Sequence, residues 1–226
     1  MLSEAARPYI QASVPVLREH GVTITKTFYQ NMFSEHPELT SIFNMGNQAS
    51  GAQQQSLAAA VFAYADNIDH PEALTPVVSR IVHKHASVGI RAEHYPIVGR
   101  HLLGAIQETL GDAATPDLLS AWEEAYGLLA NAFIEEERKL YAAADVEPGQ
   151  LLNMKVASVQ DQSLNVRSFV LVAEDGGSLP DFLPGQYVSV EALLPDGMRQ
   201  LRQYSLSDAP GKGYLRISVK REAAGK

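Results

Sequence analysis

The pattern of apolar and polar positions changes character near residue 145. Before that point apolar residues recur at steps of three and four. The spacing predicts helices at 3–19, 23–35, 37–43, 52–68, 72–87, 93–110 and 116–143. Gly21 and Gly111 each follow an apolar-periodic segment, where a residue of positive φ commonly ends a helix. Thr115-Pro116 reads as an N-cap followed by proline at the first helical position. Pro15, inside the first helix, is expected to kink it. Beyond the break, short β-branched runs are punctuated by Gly-Gly, Pro-Gly and Asp-Gly turns. They predict strands at 151–159, 166–173, 186–193, 199–207 and 213–220. Asp145-Val146-Glu147-Pro148-Gly149 is a short polar hinge, which divides the chain into domain 1–145, linker 146–150 and domain 151–226. The expected fold is multidomain, an all-α domain followed by an antiparallel β unit.

Composition sharpens this division. Residues 1–150 carry 18 acidic and 9 basic side chains, whereas 151–226 carry 8 and 9. The net charge of −8 over 226 residues argues against a basic groove for nucleic acid. With no cysteine, disulfides, zinc ribbons, thiolate-bound clusters and cysteine nucleophiles are excluded. No run approaches the apolar length of a membrane span, and the N-terminus has no basic-then-apolar leader, so a soluble cytoplasmic protein is expected.

One histidine lies on an apolar face. Val78, Ile81, Val82, His85 and Val88 form a single helical stripe, while His83 lies about 200° away around the helix. Taken alone, the pattern favours a core histidine satisfied by a hydrogen bond. The other reading is a neutral imidazole ligating a metal, whose second ring nitrogen needs an orienting acceptor. The last helix offers one: Trp122, Tyr126, Leu129, Phe133, Glu137 and Leu140 step by four or three, which puts Glu137 on the core side. A carboxylate there is costly unless paired, and Tyr95 is a candidate phenolic partner. A solvated Glu137 on a frayed helix end fits the periodicity equally well. Phe28, Tyr29, Met32 and Phe33 make an aromatic stripe; with Phe43 and Leu57 they form either plain core or a dry chamber whose polar groups are Tyr29 and Gln53.

These residues carry a family resemblance. Seven helices, a Phe in the corner after the third, and a Gln 32 residues before a core His resemble the globin fold. Phe28-Tyr29-Gln30-Asn31-Met32-Phe33, Phe43-Asn44-Met45, Lys84-His85-Ala86-Ser87, Tyr95-Pro96-Ile97-Val98-Gly99 and Ala121-Trp122 through Tyr126-Gly127 resemble bacterial flavohaemoglobins in particular. The resemblance implies b-type haem with His85 as proximal iron ligand and Tyr95 and Glu137 as its hydrogen-bonding partners. Tyr29, Gln53 and Leu57 would line the distal pocket, Phe43 would pack on the haem, and Lys84 would lie between the haem and the flavin side. It implies nitric oxide dioxygenation, with O2 and nitric oxide as ligands. An imidazole whose Nδ1–H donates to a carboxylate pushes electron density onto iron, as that chemistry needs and simple storage does not. An oxygen-carrying or oxygen-sensing globin is the alternative, and a haem-free sensor with an apolar pocket a third.

The second half carries its own resemblance. Pro184-Gly185-Gln186-Tyr187 and Arg202-Gln203-Tyr204-Ser205 are similar to the FAD barrel of the ferredoxin-reductase family. This implies FAD contacts for Tyr187, Arg202, Gln203, Tyr204 and Ser205. Only Ala223-Ala224-Gly225-Lys226 follow Glu222, whereas that family continues through the rest of the barrel and an NAD(P)-binding domain. No Gly-x-Gly-x-x-Gly nucleotide turn occurs in the chain. The sequence is therefore expected to be a fragment or truncated gene product with an incomplete antiparallel β-barrel. Haem binding is expected to survive and FAD binding to be impaired. Turnover with NAD(P)H is expected to need an external reductant or the missing reductase half.

Overall fold

A computed structural model of the chain describes residues 1–43, 45–193, 197 and 199–222. Asn44 of the Phe43-Asn44-Met45 motif and Ala223 to Lys226 lie outside the described residues. The chain folds as two units, Met1–Pro148 and Gly149–Lys226.

The first unit is helical. Helix α1 (Arg7–Glu35) is followed by a 3-10 turn (Pro37–Ser41), α2 (Met45–Ala49), α3 (Ala52–Asp66) and a 3-10 turn (Pro71–Leu74). Then come α4 (Thr75–Val88), α5 (His94–Leu110) and α6 (Pro116–Ala144). The expected break at Gly21 is absent: α1 runs on through both Pro15 and Gly21. The reason is packing. Ile10, Leu17, Gly21, Ile24, Phe28 and Met32 make one unbroken buried stripe. A Cβ on Gly21 would stand 3.5 Å from the Ala58 Cβ, an ordinary packing distance, so this glycine is a buried position facing α3 and needs no left-handed backbone. Gly111, by contrast, has φ +54° and ends α5 as expected. The helix expected over 37–43 is the 3-10 turn, started by Pro37. At the head of α6 the Thr115 side chain accepts from the Leu118 N–H at 3.3 Å, and Pro116 sits at the first helical position.

The core of this unit joins α1, α3, α5 and α6 through Ile10, Phe28, Met32, Ala65, Leu102, Ile106 and Trp122, all nearly inaccessible. A satellite cluster of Val82, Tyr95, Ala130 and Phe133 joins α4, α5 and α6. Tyr126 ties that cluster together. Its hydroxyl donates to the Tyr95 carbonyl at 2.7 Å, and its ring lies across Gly99, where a Cβ would meet Cε1 at 2.6 Å. Tyr141 donates to the Ile90 carbonyl at 2.8 Å and so fixes the end of α4 against α6.

In the second unit, β1 (Met154–Ser163), β2 (Val166–Ala173) and β5 (Leu215–Lys220) form one antiparallel sheet, and β3 (Tyr187–Leu193) and β4 (Arg199–Ser205) another. The expected five strands are present within a few residues at each end, but among the described residues they divide between two sheets and do not close a barrel. An isolated bridge, Leu206 to Ile217, links them. Leu171, Leu215 and Ile217 form the core, with Val188, Val190 and Tyr204 packed against it. Asp208 organises the turn between β4 and β5. It accepts from Lys212 Nζ at 2.6 Å, the Tyr214 hydroxyl at 2.8 Å and the Ala209 N–H at 2.8 Å, which holds its carboxyl well below the usual carboxylate range.

Candidate functional site: a carboxylate–histidine pair beside an apolar cleft

Helix α4 presents His85 to a cleft of about 210 Å³. Phe43, Leu57, Val61, Ile81, Val98 and Leu129 are among its walls, so the lining is overwhelmingly apolar. His83, on the opposite side of α4, is exposed. The stripe that carries His85 inward is therefore the one expected from its spacing.

Behind His85 stand the two partners expected for it. Its Nδ1 lies 2.8 Å from Glu137 Oε1 and 3.1 Å from the Tyr95 hydroxyl. The Tyr95 hydroxyl donates to the same Glu137 oxygen at 2.5 Å. Glu137 is only 2 % exposed. The alternative of a solvated Glu137 on a frayed helix end is thereby overturned: α6 runs a further seven residues to Ala144, and the carboxylate is buried and doubly hydrogen-bonded. Its neighbours Glu135 and Glu136 face outward and pair with Arg138 and Lys139 one turn on. An ionised carboxylate only accepts hydrogen bonds, so Nδ1 carries the imidazole proton and Nε2 holds a lone pair. Burial, with the Glu137 hydrogen bond and charge adding to it, holds the Tyr95 phenol far above its ordinary pKa, so it remains a donor. Phe133 packs edge-on to the His85 ring, 5.8 Å between centroids, and limits its rotation.

Tyr29, from α1, also lines the cleft. It is 6 % exposed and wedged among Phe28, Phe33 and Phe43, with ring centroids 4.8–5.8 Å away. Burial pushes its pKa up to about 12, against two amide contacts from Gln53 and Gln48 that pull the other way. Leu57 and Phe43 line the cleft, whereas Gln53 reaches it only through Tyr29. Gln48 was not among the expected site residues; it belongs to α2, whose five residues are too few to show a periodic face. Lys84 is exposed on α4 beside His85, and partial desolvation lowers its pKa.

The flavin-type residues are arranged differently. In the β3–β4 ribbon Tyr187 pairs with Ser205, Ser189 with Gln203, and Val190 with Arg202. Successive residues of a strand point to opposite faces, so Tyr187, Gln203 and Ser205 share one face and Arg202 and Tyr204 the other. Tyr204 packs on the unit's core, whereas Tyr187 is 38 % exposed. Gln203 donates to Ser189 Oγ at 3.0 Å, and Arg202 donates to the side chain of Gln200. No single face gathers all five.

An apolar slot whose wall carries an imidazole oriented by a buried carboxylate suits a flat, hydrophobic group carrying a metal. His85 Nε2 would be the ligand atom for such a group, and aromatic and aliphatic side chains make up most of the wall around it. Comparison with known proteins agrees. Residues 26–133 match the family model "Globin". The chain is 55 % identical over 228 residues to a flavohemoprotein of Bordetella parapertussis, covering 99 % of this chain and 57 % of that protein. A crystal structure of flavohemoglobin from Malassezia yamatoensis, with bound FAD and heme, superposes with a TM-score of 0.90 at 35 % identity, covering 100 % of this chain and 59 % of that one. A bacterial globin from Campylobacter jejuni matches with a TM-score of 0.59 at 38 % identity, covering 62 % of this chain and 99 % of that one. The chain thus spans just over half the length of the flavohemoproteins to which it is similar, and it belongs to the globin family.

Proposed function

We propose that the cleft binds one b-type haem through His85 and that the chain carries the oxygen-binding half of a nitric oxide dioxygenase. The observation that carries this reading is the buried Glu137 accepting from both His85 Nδ1 and Tyr95. When bound, the haem iron supplies the centre at which O2, nitric oxide and one electron combine to give nitrate. The protein's own residues set its electronic character and its surroundings. Glu137 draws on the Nδ1 proton, which gives the ring imidazolate character and makes Nε2 a stronger electron donor. Tyr95 shares the same carboxylate oxygen and fixes its position, and the Tyr126 hydrogen bond to the Tyr95 backbone fixes Tyr95 in turn. Phe43, Leu57 and Val61 exclude water from the cleft, where a single polar donor counts for more than it would in solution. Tyr29 is that donor, protonated throughout the neutral range.

FAD and NAD(P)H belong to the same reading as the source of the electron. Tyr187, Arg202, Gln203, Tyr204 and Ser205 are the proposed flavin contacts, with Lys84 between haem and flavin. The chain itself is proposed to depend on an external reductant or on further reductase sequence, in a cytoplasmic setting. The test is a stopped-flow experiment in which the reduced, haem-loaded, oxygenated protein is mixed with nitric oxide. The expected result is one nitrate per haem, formed in step with ferric haem. Slow or sub-stoichiometric nitrate would mark an oxygen carrier or sensor instead.

A further inference from the structure

A second histidine cluster lies where the C-terminal end of α1 meets α5, and none of its residues lines the apolar cleft. Glu35 Oε2, one ring nitrogen of His36 and one of His101 all lie within 4.8 Å of one another. Glu35 Oε2 and His101 Nε2 are 3.7 Å apart. The Arg100 guanidinium occupies the space they surround. Its Nη2 is 3.1 Å from Glu35 Oε2, 3.1 Å from His36 Nε2 and 3.2 Å from His101 Nε2.

Three features make this more than a surface ion pair. The His36 Nδ1 lies 3.0 Å from Glu38 Oε1, so its proton sits on Nδ1 and the Nε2 lone pair points inward. That is the arrangement in which a carboxylate orients a metal-ligating imidazole. His101 is 6 % exposed, which holds one ligand rigidly while the others remain adjustable. Finally, Nη2 has two protons and faces three acceptors, so the guanidinium leaves one lone pair unmatched. A cation with three open coordination positions would match all of them.

We propose that Glu35, His36 and His101 form a binding site for a divalent transition metal of the zinc class, with Arg100 as its displaceable occupant. The ligand set is two imidazole nitrogens and one carboxylate oxygen, with water completing a tetrahedron. Metal–ligand distances of roughly 2.0–2.2 Å are reached when the ion sits about 1 Å nearer His101 than Nη2 does and the Glu35 and His36 donors close in around it. Arg100 and Glu35 have side chains 63 % and 60 % exposed, so the guanidinium swings into water and the carboxylate closes in without disturbing the core.

The test is calorimetric titration of the haem-loaded full chain with Zn2+ alone, together with zinc-edge X-ray absorption. The expected result is one saturable Zn2+ per chain, with two imidazole nitrogens in its shell. His36→Gln and Glu35→Gln each weaken it by at least about tenfold. Arg100→Ala tightens it by about tenfold, because the competing charged hydrogen bonds are gone. That gain is a change that structural damage would not produce. His101 is buried, so its replacement tests folding as much as ligation, and the experiment rests on the other three positions. Absence of saturable uptake in the Arg100→Ala protein, or an affinity unmoved by His36→Gln, would overturn the proposal.

Discussion

Replacing Glu137 by Gln keeps the size of the side chain but removes the charge that draws on the His85 Nδ1 proton. The iron–histidine stretching frequency of the reduced protein should fall in Glu137→Gln, with nitrate formation slowed by roughly 10–100-fold, as for other orienting partners of a metal-bound histidine. An unchanged frequency would remove the electronic role assigned to Glu137. Tyr126 and Gly99 support the pair from behind. Gly99→Ala forces a Cβ to within 2.6 Å of the Tyr126 ring, and overpacking of this kind costs about 1–3 kcal/mol, readable in urea denaturation. At this scale much of the site was legible in the sequence, because a polar residue on an apolar stripe is costly unless it is partnered. His85 and Glu137 both broke their stripes, and each proves to be the other's partner. Gln48 broke no pattern, so nothing in the spacing pointed to it. His36 and His101 lie on separate elements, and only the packing of α1 on α5 brings them together.

Among the elements, the helices whose ends carry their own chemistry were read correctly. Thr115-Pro116 starts α6 and Gly111 stops α5 through local backbone requirements that hold wherever the segment is placed. Gly21 does not end a helix because it is a buried position of α1 packed toward Ala58, a tertiary fact that one-dimensional periodicity does not contain. The division of five strands into two sheets was hidden for the same reason, since register depends on partners distant in sequence. The β4–β5 turn carries a pH prediction of its own. The folded-state pKa of Asp208 is depressed by its donors, so the stabilisation it gives is present above the unfolded value of about 3.9. It is lost as pH falls below that value, through the depressed folded pKa. Hydrogen exchange at Ser207 N, which donates to Arg216 O, should be faster in Asp208→Asn than in the parent at pH 7. That difference should shrink progressively below about pH 4. A difference that persisted undiminished in acid would exclude the carboxylate as its source.

For the molecule as a whole, two units of different physics lie on one chain, an acidic helical one with a complete apolar cleft and a β unit with several exposed apolar side chains. Leu151, Leu152, Val156, Val159 and Leu183 are each at least half exposed. The change in residue periodicity near 145 and the hinge that follows made this division visible in the sequence, since helix and strand place their apolar residues at incompatible spacings. The reading of the helical unit depends on His85 gripping iron from the wall of the cleft. Titration of the haem-free protein with haem, followed by absorption in the Soret region, tests this most directly. The account predicts one haem per chain for the parent and for His83→Ala, and loss of the coordinated spectrum in His85→Ala. An unaltered spectrum in His85→Ala, or its loss in His83→Ala, would contradict it.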